Sequence, residues 1–564
     1  MKLYKQLLVA PAVLGLLAPA AANASEMNVS GVSGYASVSH EAGSEEQVTS
    51  ITQFSDVYPT DWAYQALSNL IERYGCVAGY PNGTYRGNRA MTRFEAAALL
   101  NACLDRVTEV TDELKRLMKE FEKELAIVKG RVDGLEARVG ELEATQFSTT
   151  TKLDGQATFD IGANSFGGDL YLTQVNVDRI KKHFPDTDGI YLPTGSGPKS
   201  RDSNYQKNAS SEFGATTFNY DYQLYLNTSF TGKDLLSATI RSGNFGDDNA
   251  FNGNPTNLST LEVASGSGDK LFIDKLWYNF PIGENFTVFV GPNVGQDDMM
   301  PMWPSVYPSG DGNTVLDILT LNGAPGAYNK TQGPGVALNY ENNGWNVGLQ
   351  YVCDLDTCTG SNPSDGGIAA DNSNGVGTIQ IGYEGEQWGF AGIYSWLQSP
   401  SLVPYSTSYT QLSYAQDIDM SLNAFGLAAY WQPEDSGWIP AISAGWGLNT
   451  TNFADNSAAD AYVSTSQSWQ IAIHWDDVFL QGNSAGMAVG QATFATDLKG
   501  GDTPFDGNYV WEWYYGFQVT DNITVTPSMF YLSRPLGQLT FDGVDGKDGT
   551  FSQFGALVRT TFTF

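Results

Sequence analysis

The chain has 564 residues, a formal net charge of −32, 61 glycines and 13% aromatics. It is too long for one ordinary domain, so several modules are expected. The acidic excess argues against nucleic acid as a partner, because phosphates need a basic face. Beyond the N-terminal segment no apolar run is long enough for a spanning helix.

Met1–Ala24 carries Lys2 and Lys5, then the apolar stretch Leu7–Leu17, then Ala22-Asn23-Ala24. This is the pattern of a secretory signal peptide (1–24) with a small-x-small cleavage site, so the mature chain is expected to begin near Ser25. The alternative, a membrane anchor, fits poorly with so short an apolar stretch. Export permits disulfides. The four cysteines form two local groups, Cys76 with Cys103 and Cys353 with Cys358, and one bond within each is expected, with free thiols as the alternative. Metal-thiolate binding is weakly supported, because no pair has the usual close spacing or a partnering His. Residues 25–53 are Ser/Gly-rich without periodicity and are expected to be a linker.

Residues 54–107 read as a compact helical unit. Trp62, Ala66, Leu67, Leu70 and Ile71 recur at helical spacing, and Gly79-Tyr80-Pro81-Asn82-Gly83 makes a turn. Thr92 with Glu95 is a capping box opening a second helix. Phe54-Ser55-Asp56-Val57, Trp62-Ala63, Gly79–Tyr85 and Met91-Thr92-Arg93-Phe94-Glu95 resemble, in order and spacing, the signature of the S-layer homology (SLH) domain. The resemblance implies binding of peptidoglycan or a linked cell-wall polymer, with Trp62, Gly79 and Arg93 as candidates. An Arg fork suits an anionic carboxylate or pyruvyl group. A core role for Trp62 and an ion pair for Arg93 remain the plain alternative.

From Val107, a heptad runs through Leu114, Phe121, Val128, Leu135 and Leu142, with Met118, Leu125, Val132 and Val139 at the alternating core position. Residues 108–146 are therefore expected to form a coiled coil, a periplasmic spacer of roughly 50 Å at 1.5 Å per residue. Gly130, Gly134 and Gly140 leave a single amphipathic helix lying on the following domain as the alternative.

Residues 150–564 alternate apolar and polar side chains in about sixteen bursts. In Tyr220–Phe230, Tyr220, Tyr222, Leu224, Leu226, Thr228 and Phe230 form one set and Asp221, Gln223, Tyr225, Asn227 and Ser229 the other. A period of two sends each set to its own strand face. Connections alternate short and long throughout. The short ones include Gly232-Lys233-Asp234, Asn342-Asn343 and Asp521-Asn522, and the long ones cover 164–215, 246–268, 295–332, 354–374, 400–418, 450–465, 498–507 and 534–549. An even strand count with long loops at one end only predicts a closed barrel in a membrane. The expected fold is thus mainly β: a sixteen-stranded transmembrane antiparallel β-barrel preceded by a small α-helical SLH domain and a coiled coil. The last strand, with Phe554, Ala556, Val558, Thr560, Phe562 and Phe564 facing out, resembles the signal read by the barrel-assembly machinery.

The order of signal peptide, SLH domain, coiled coil and barrel resembles the cyanobacterial outer-membrane porins of the carbohydrate-selective (OprB-type) family, which include iron-uptake porins. The resemblance implies a homotrimer in outer-membrane lipid whose SLH domains grip peptidoglycan. No Lys or Arg occurs between Lys330 and Lys499, whereas Asp354, Asp356, Asp371, Glu384, Asp417, Asp419, Asp455, Asp476 and Asp477 do. A confined passage focuses such a field, so cations are expected to be favoured. Those acids merely solvating external loops is the alternative. The third long loop, 295–332, is the expected constriction, with Asp297, Asp298, Asp311 and Asp317 facing Arg241 of the wall, and Met299, Met300, Met302 and Trp303 anchoring it by apolar contact. The expected function is passive diffusion of inorganic ions, iron among them, and small solutes; a carbohydrate channel or a purely mechanical wall tether are the alternatives. His40, His183 and His474 accompany no nucleophile motif, so neither catalysis nor a cofactor is expected.

Overall fold

A computed structural model describes Tyr64 and Ser68, residues 151–172 and 180–182, and residues 203–564 apart from 247, 308–314, 361, 363–365, 417, 435–436, 455–459, 461 and 542–548. The signal peptide, linker and heptad segment, and the SLH candidates Trp62, Gly79, Arg93, Cys76 and Cys103, lie outside the described residues. Phe147–Phe564 forms one compact unit and Met1–Gln146 another.

Sixteen strands make the barrel: β1 Thr151–Gly168, β2 Thr217–Thr228, β3 Leu235–Gly243, β4 Phe272–Ile282, β5 Phe286–Gly295, β6 Gln332–Asn342, β7 Trp345–Cys353 and β8 Gly375–Glu384. The second half is β9 Trp388–Leu397, β10 Met420–Trp431, β11 Ala441–Phe453, β12 Val463–Asp476, β13 Ser484–Leu498, β14 Tyr509–Thr520, β15 Ile523–Ser533 and β16 Phe551–Thr563. Each pairs antiparallel with its sequence neighbours, and β1 closes on β16 with Asp160 opposite Arg559. Closure leaves no sheet edge, which a bilayer would leave without hydrogen-bond partners.

The alternation sorts side chains as the period demands. In β16, Phe554, Ala556 and Val558 are exposed, while Gln553, Leu557 and Arg559 are buried. At the short-turn edge Trp345, Tyr383, Trp388 and Phe390 pack in ring-to-ring contact as an aromatic strip, one of the girdles expected at a membrane interface. Short turns are held by their own chemistry. Gly232 takes φ +80°, and Asp234 accepts hydrogen bonds from the hydroxyls of Ser229, Thr231 and Tyr278.

Some expected strand ends move: β11 runs on to Phe453 and β12 begins at Val463, shortening the connection expected at 450–465. β1 continues to Gly168 rather than stopping near residue 163, because helix α1 (Tyr205–Phe213) covers its upper end and Tyr205 packs edge-on against Phe551. Two other long loops turn inward. Residues 244–271 pair with the third loop through Leu261 and Leu316, and 398–419, with helix α2 (Ser408–Tyr414), meets β13 through Ser406 and Thr493.

Candidate permeation site

The third long loop, 296–331, does not hang free in the lumen. Its described residues, 296–307 and 315–331, lie against the inner wall from β5 round to β14. Gln296 donates to Thr378 of β8, Asn339 of β6 donates to the Met299 carbonyl, and the Ser395 hydroxyl of β9 donates to the Ala327 carbonyl. Farther round, Ser443 of β11 accepts from the Val306 amide, and Ser468 and Gln470 of β12 donate to the carbonyls of Gly323 and Leu319. On β14, Glu512 accepts from the Leu316 amide and the Tyr307 hydroxyl. Loop backbone groups that would otherwise be orphaned are thereby satisfied by lumen-facing side chains.

The wall beneath is cut down to receive the loop. Lumen positions of β10 and β11 are Ala424, Gly426, Ala428, Gly445 and Gly447. A Cβ at Gly445 would overlap the Asn322 carbonyl, and one at Gly447 would meet Ala324. Gly323 adopts φ +66° with its backbone against that of Gly445, a conformation and approach that suit glycine alone.

The charges collect on the opposite wall. Arg559 of β16 and Asp160 of β1 form a fully buried pair, Nε to Oδ1 at 2.9 Å. Arg241 of β3 grips Asp221 of β2 at 2.7 Å and reaches Asp274 of β4 at 3.5 Å. Lys275 of β4 binds Asp298 at 2.8 Å and Asp297 at 3.8 Å, both on the loop. Lys330, at the loop's base, binds Asp317 at 2.6 Å and Glu262 of the second loop at 3.1 Å. Tyr405 of the 398–419 loop donates to Asp317, so three loops meet at one cluster. Burial, and then the Asp317 charge, push the Glu262 carboxyl up to about 8. Burial also pushes Asp317 upward, but Lys330 and the hydrogen bonds it accepts outweigh that and hold it down. The two acids are coupled, and the protonated form is favoured more at Glu262 than at Asp317. Burial and the neighbouring Asp297 likewise raise Asp298, to about 6. Beside these groups Tyr225, Trp277 and Phe289 are half-buried, with the Trp277 and Phe289 rings 5.6 Å apart.

Several expectations change. Arg241 does not oppose the loop. Its fork is taken by two wall carboxylates, and the loop acids turn instead to Lys275 and Lys330, which the sequence reading passed over. Lys275 sits opposite Thr239 in register, so the inward parity read for β3 carries over to it. Asp311 lies outside the described residues. Of the described acids of the cation-free stretch, Asp356, Asp371, Asp419 and Asp477 are exposed on loops and turns, and Glu384 and Asp476 are exposed at the inward-parity short ends of β8 and β12, none of them covered by the loop. The physical reason is the loop itself, since it covers that wall and demands small or neutral partners there. Met299 is buried, and Met300 and Trp303 pack against the core. Cys353 and Cys358 are joined by a disulfide at the top of β7. His474 bonds Asp476 and Tyr514, each at 2.8 Å. Glu512 was also missed, although a lone acid at an inward position among aromatics is a readable signal.

A closed sixteen-strand barrel with aromatic rims, an inward-folded third loop and a charged lumen defines an outer-membrane porin. The chain belongs to the carbohydrate-selective porin, OprB family, whose profile matches residues 109–564, and an S-layer homology domain matches residues 53–97. The chain is 33% identical to an uncharacterised protein of Nostoc sp., over 93% of this chain and 87% of that one. It is 29% identical to an uncharacterised protein of Synechocystis sp., over 92% and 91%. An outer membrane protein SlpA of Thermus thermophilus is 33% identical over 15% of this chain and 11% of its own. Among solved structures, OprB of Pseudomonas putida is similar with a TM-score of 0.44 at 11% identity, covering 75% of this chain and 96% of that one. The protein is thus an outer-membrane porin with an SLH domain on the periplasmic side, a domain type that binds cell-wall polymer.

Proposed function

We propose that the barrel passes small uncharged hydrophilic solutes, sugars foremost, by passive diffusion along the wall of β1–β5. The carrying observation is charge compensation: Arg559, Arg241, Lys275 and Lys330 are each held by carboxylates within 4 Å. Paired charges cancel over distances approaching the Debye length, about 8 Å at physiological salt, so little long-range field is left to select ions. Arg241, Lys275 and Lys330, which keep partial access to water, still present donors beside acceptors, which is what a polyol needs when it leaves water. Trp277 and Phe289 add apolar faces along the same wall.

A modest cation preference is the second reading. It is favoured by the surplus of Asp160, Asp221, Asp274, Asp297, Asp298, Asp317 and Glu262 over the four cations. Iron enters only as one such cation. Swelling of proteoliposomes in a size series of sugars tests the first reading, with rates expected to fall from mono- to oligosaccharide. Normal KCl conductance without sugar-driven swelling would refute it. Reversal potentials in a salt gradient test the second, which fails if anions permeate equally or if D297N/D298N leaves selectivity unchanged.

In the same reading, Trp62, Gly79 and Arg93 hold peptidoglycan, the 108–146 heptads space barrel from wall, three protomers assemble, and the last strand is read by the assembly machinery. Loss of sacculus binding in R93A, with the barrel intact, is the expected outcome.

A further inference from the structure

The two most exposed large apolar side chains of the described residues are Phe479, 90% exposed, and Trp438, 87% exposed. They sit on neighbouring short-end connections, β10–β11 and β12–β13, which at 432–440 and 477–483 are longer than the other turns at that end. Ile439 and Leu480 beside them are also exposed. Apolar side chains presented this fully need a partner or a non-aqueous medium.

The direction in which the turns lean identifies the medium. Register places Trp475 of β12, Ala485 of β13 and Tyr515 of β14 on one face, and His474, Gly486 and Tyr514 on the other. His474 and Tyr514 are buried and bond each other, so Trp475 and Tyr515 face outward. The Trp475 indole N–H donates to the Trp438 carbonyl at 2.9 Å, drawing the first turn over the outer wall. Phe479 stacks on Tyr515 at 6.2 Å, and the Tyr515 hydroxyl donates to the Val478 carbonyl at 2.9 Å, drawing the second turn over it as well. Tyr515 in turn meets Phe517 at 4.5 Å, within the lipid-facing surface.

We infer that these two turns form an apolar shelf that inserts into the interfacial region of the inner leaflet, a binding surface for phospholipid on one side of the barrel. Trp and Phe at this height gain from a medium with apolar and polar parts close together. The exposed acid Asp477, in the second turn itself, favours zwitterionic over anionic headgroups. The inference rests on the membrane placement of the barrel and not on which solute it passes.

Quenching of tryptophan fluorescence tests it, with the full chain in phosphatidylcholine vesicles and the W438F spectrum subtracted from that of the unmodified protein. Quenching of the difference signal by nitroxide placed high on the acyl chain, with iodide on both sides leaving it intact, is expected. Quenching by iodide and not by nitroxide places Trp438 in water and overturns the inference. Protection from both places it against protein, such as a second copy, and overturns it equally. The variant F479W, read against the unmodified chain, repeats the measurement on the second turn if W438F fails to insert; heat-modifiable gel migration checks that each barrel is folded.

Discussion

The wall of β1–β5 and the wall of β8–β12 follow the same alternating pattern, yet their inner faces have opposite characters. The first carries Asp160, Asp221, Arg241, Asp274 and Lys275; the second carries Ala391, Gly426, Gly445, Gly447 and Ser468. The first keeps half-buried side chains beside the lumen, and the second is sealed under loop 296–331. Strand geometry alone therefore does not set the passage. A barrel of this size is made asymmetric by putting bulk and charge on one side and removing side chains from the other.

The strongest way to break that contrast is at the seam of the charged wall. D160L removes the carboxylate that pairs with the buried Arg559 guanidinium, at a cost of about 3–5 kcal/mol. D160L/R559L should recover most of the loss, read as the denaturant midpoint of the folded barrel. Next comes the covered wall. G445L forces a side chain into the space of Asn322, costing about 1–3 kcal/mol by overpacking. It should also lift the loop and change single-channel conductance, whereas D160L/R559L should leave conductance near its original value.

Smaller effects sharpen the comparison at the loop's base. K330M frees Asp317 and Glu262 of their shared cation, and the reversal potential should move toward cations with a smaller stability loss than in D160L, because Lys330 keeps access to water. The least effect is the pH response of that cluster. Glu262, raised by burial to about 8, binds its proton more tightly in the folded chain than in the unfolded one. Its contribution to stability is full below the ordinary carboxylate range and declines as pH rises toward 8. Over the same interval the lumen gains a negative charge, so cation preference should increase from pH 7 to 9, above the range in which Asp298 titrates, and stay flat there in E262Q, as measured by reversal potential.

The barrel was legible because strand parity and loop length are local properties. The inward set of β2 and the outward set of β16 follow from counting by two. The pairings across the lumen were not legible, because they depend on closure. Asp160 and Arg559 are opposed only when the first and last strands meet, 399 residues apart. Arg241 was placed on the correct face, but its partner could not be chosen between the loop and the adjacent strands until β2 and β4 were in register. The lack of positive charge in 331–498 was visible, but its main structural counterpart was not: much of that wall lies under a loop that takes small or neutral partners. The glycines of β10 and β11 could be counted, but what they make room for could not.

Those glycines have a consequence for how the channel can change. Where the Asn322–Ala324 segment rests on Gly445 and Gly447, bore is fixed by two opposed thicknesses, one in the loop and one in the sheet. Neither can grow alone without a collision, so a narrower or wider relative must alter both strata in step, and substitutions at these positions should travel together across descendants of this chain.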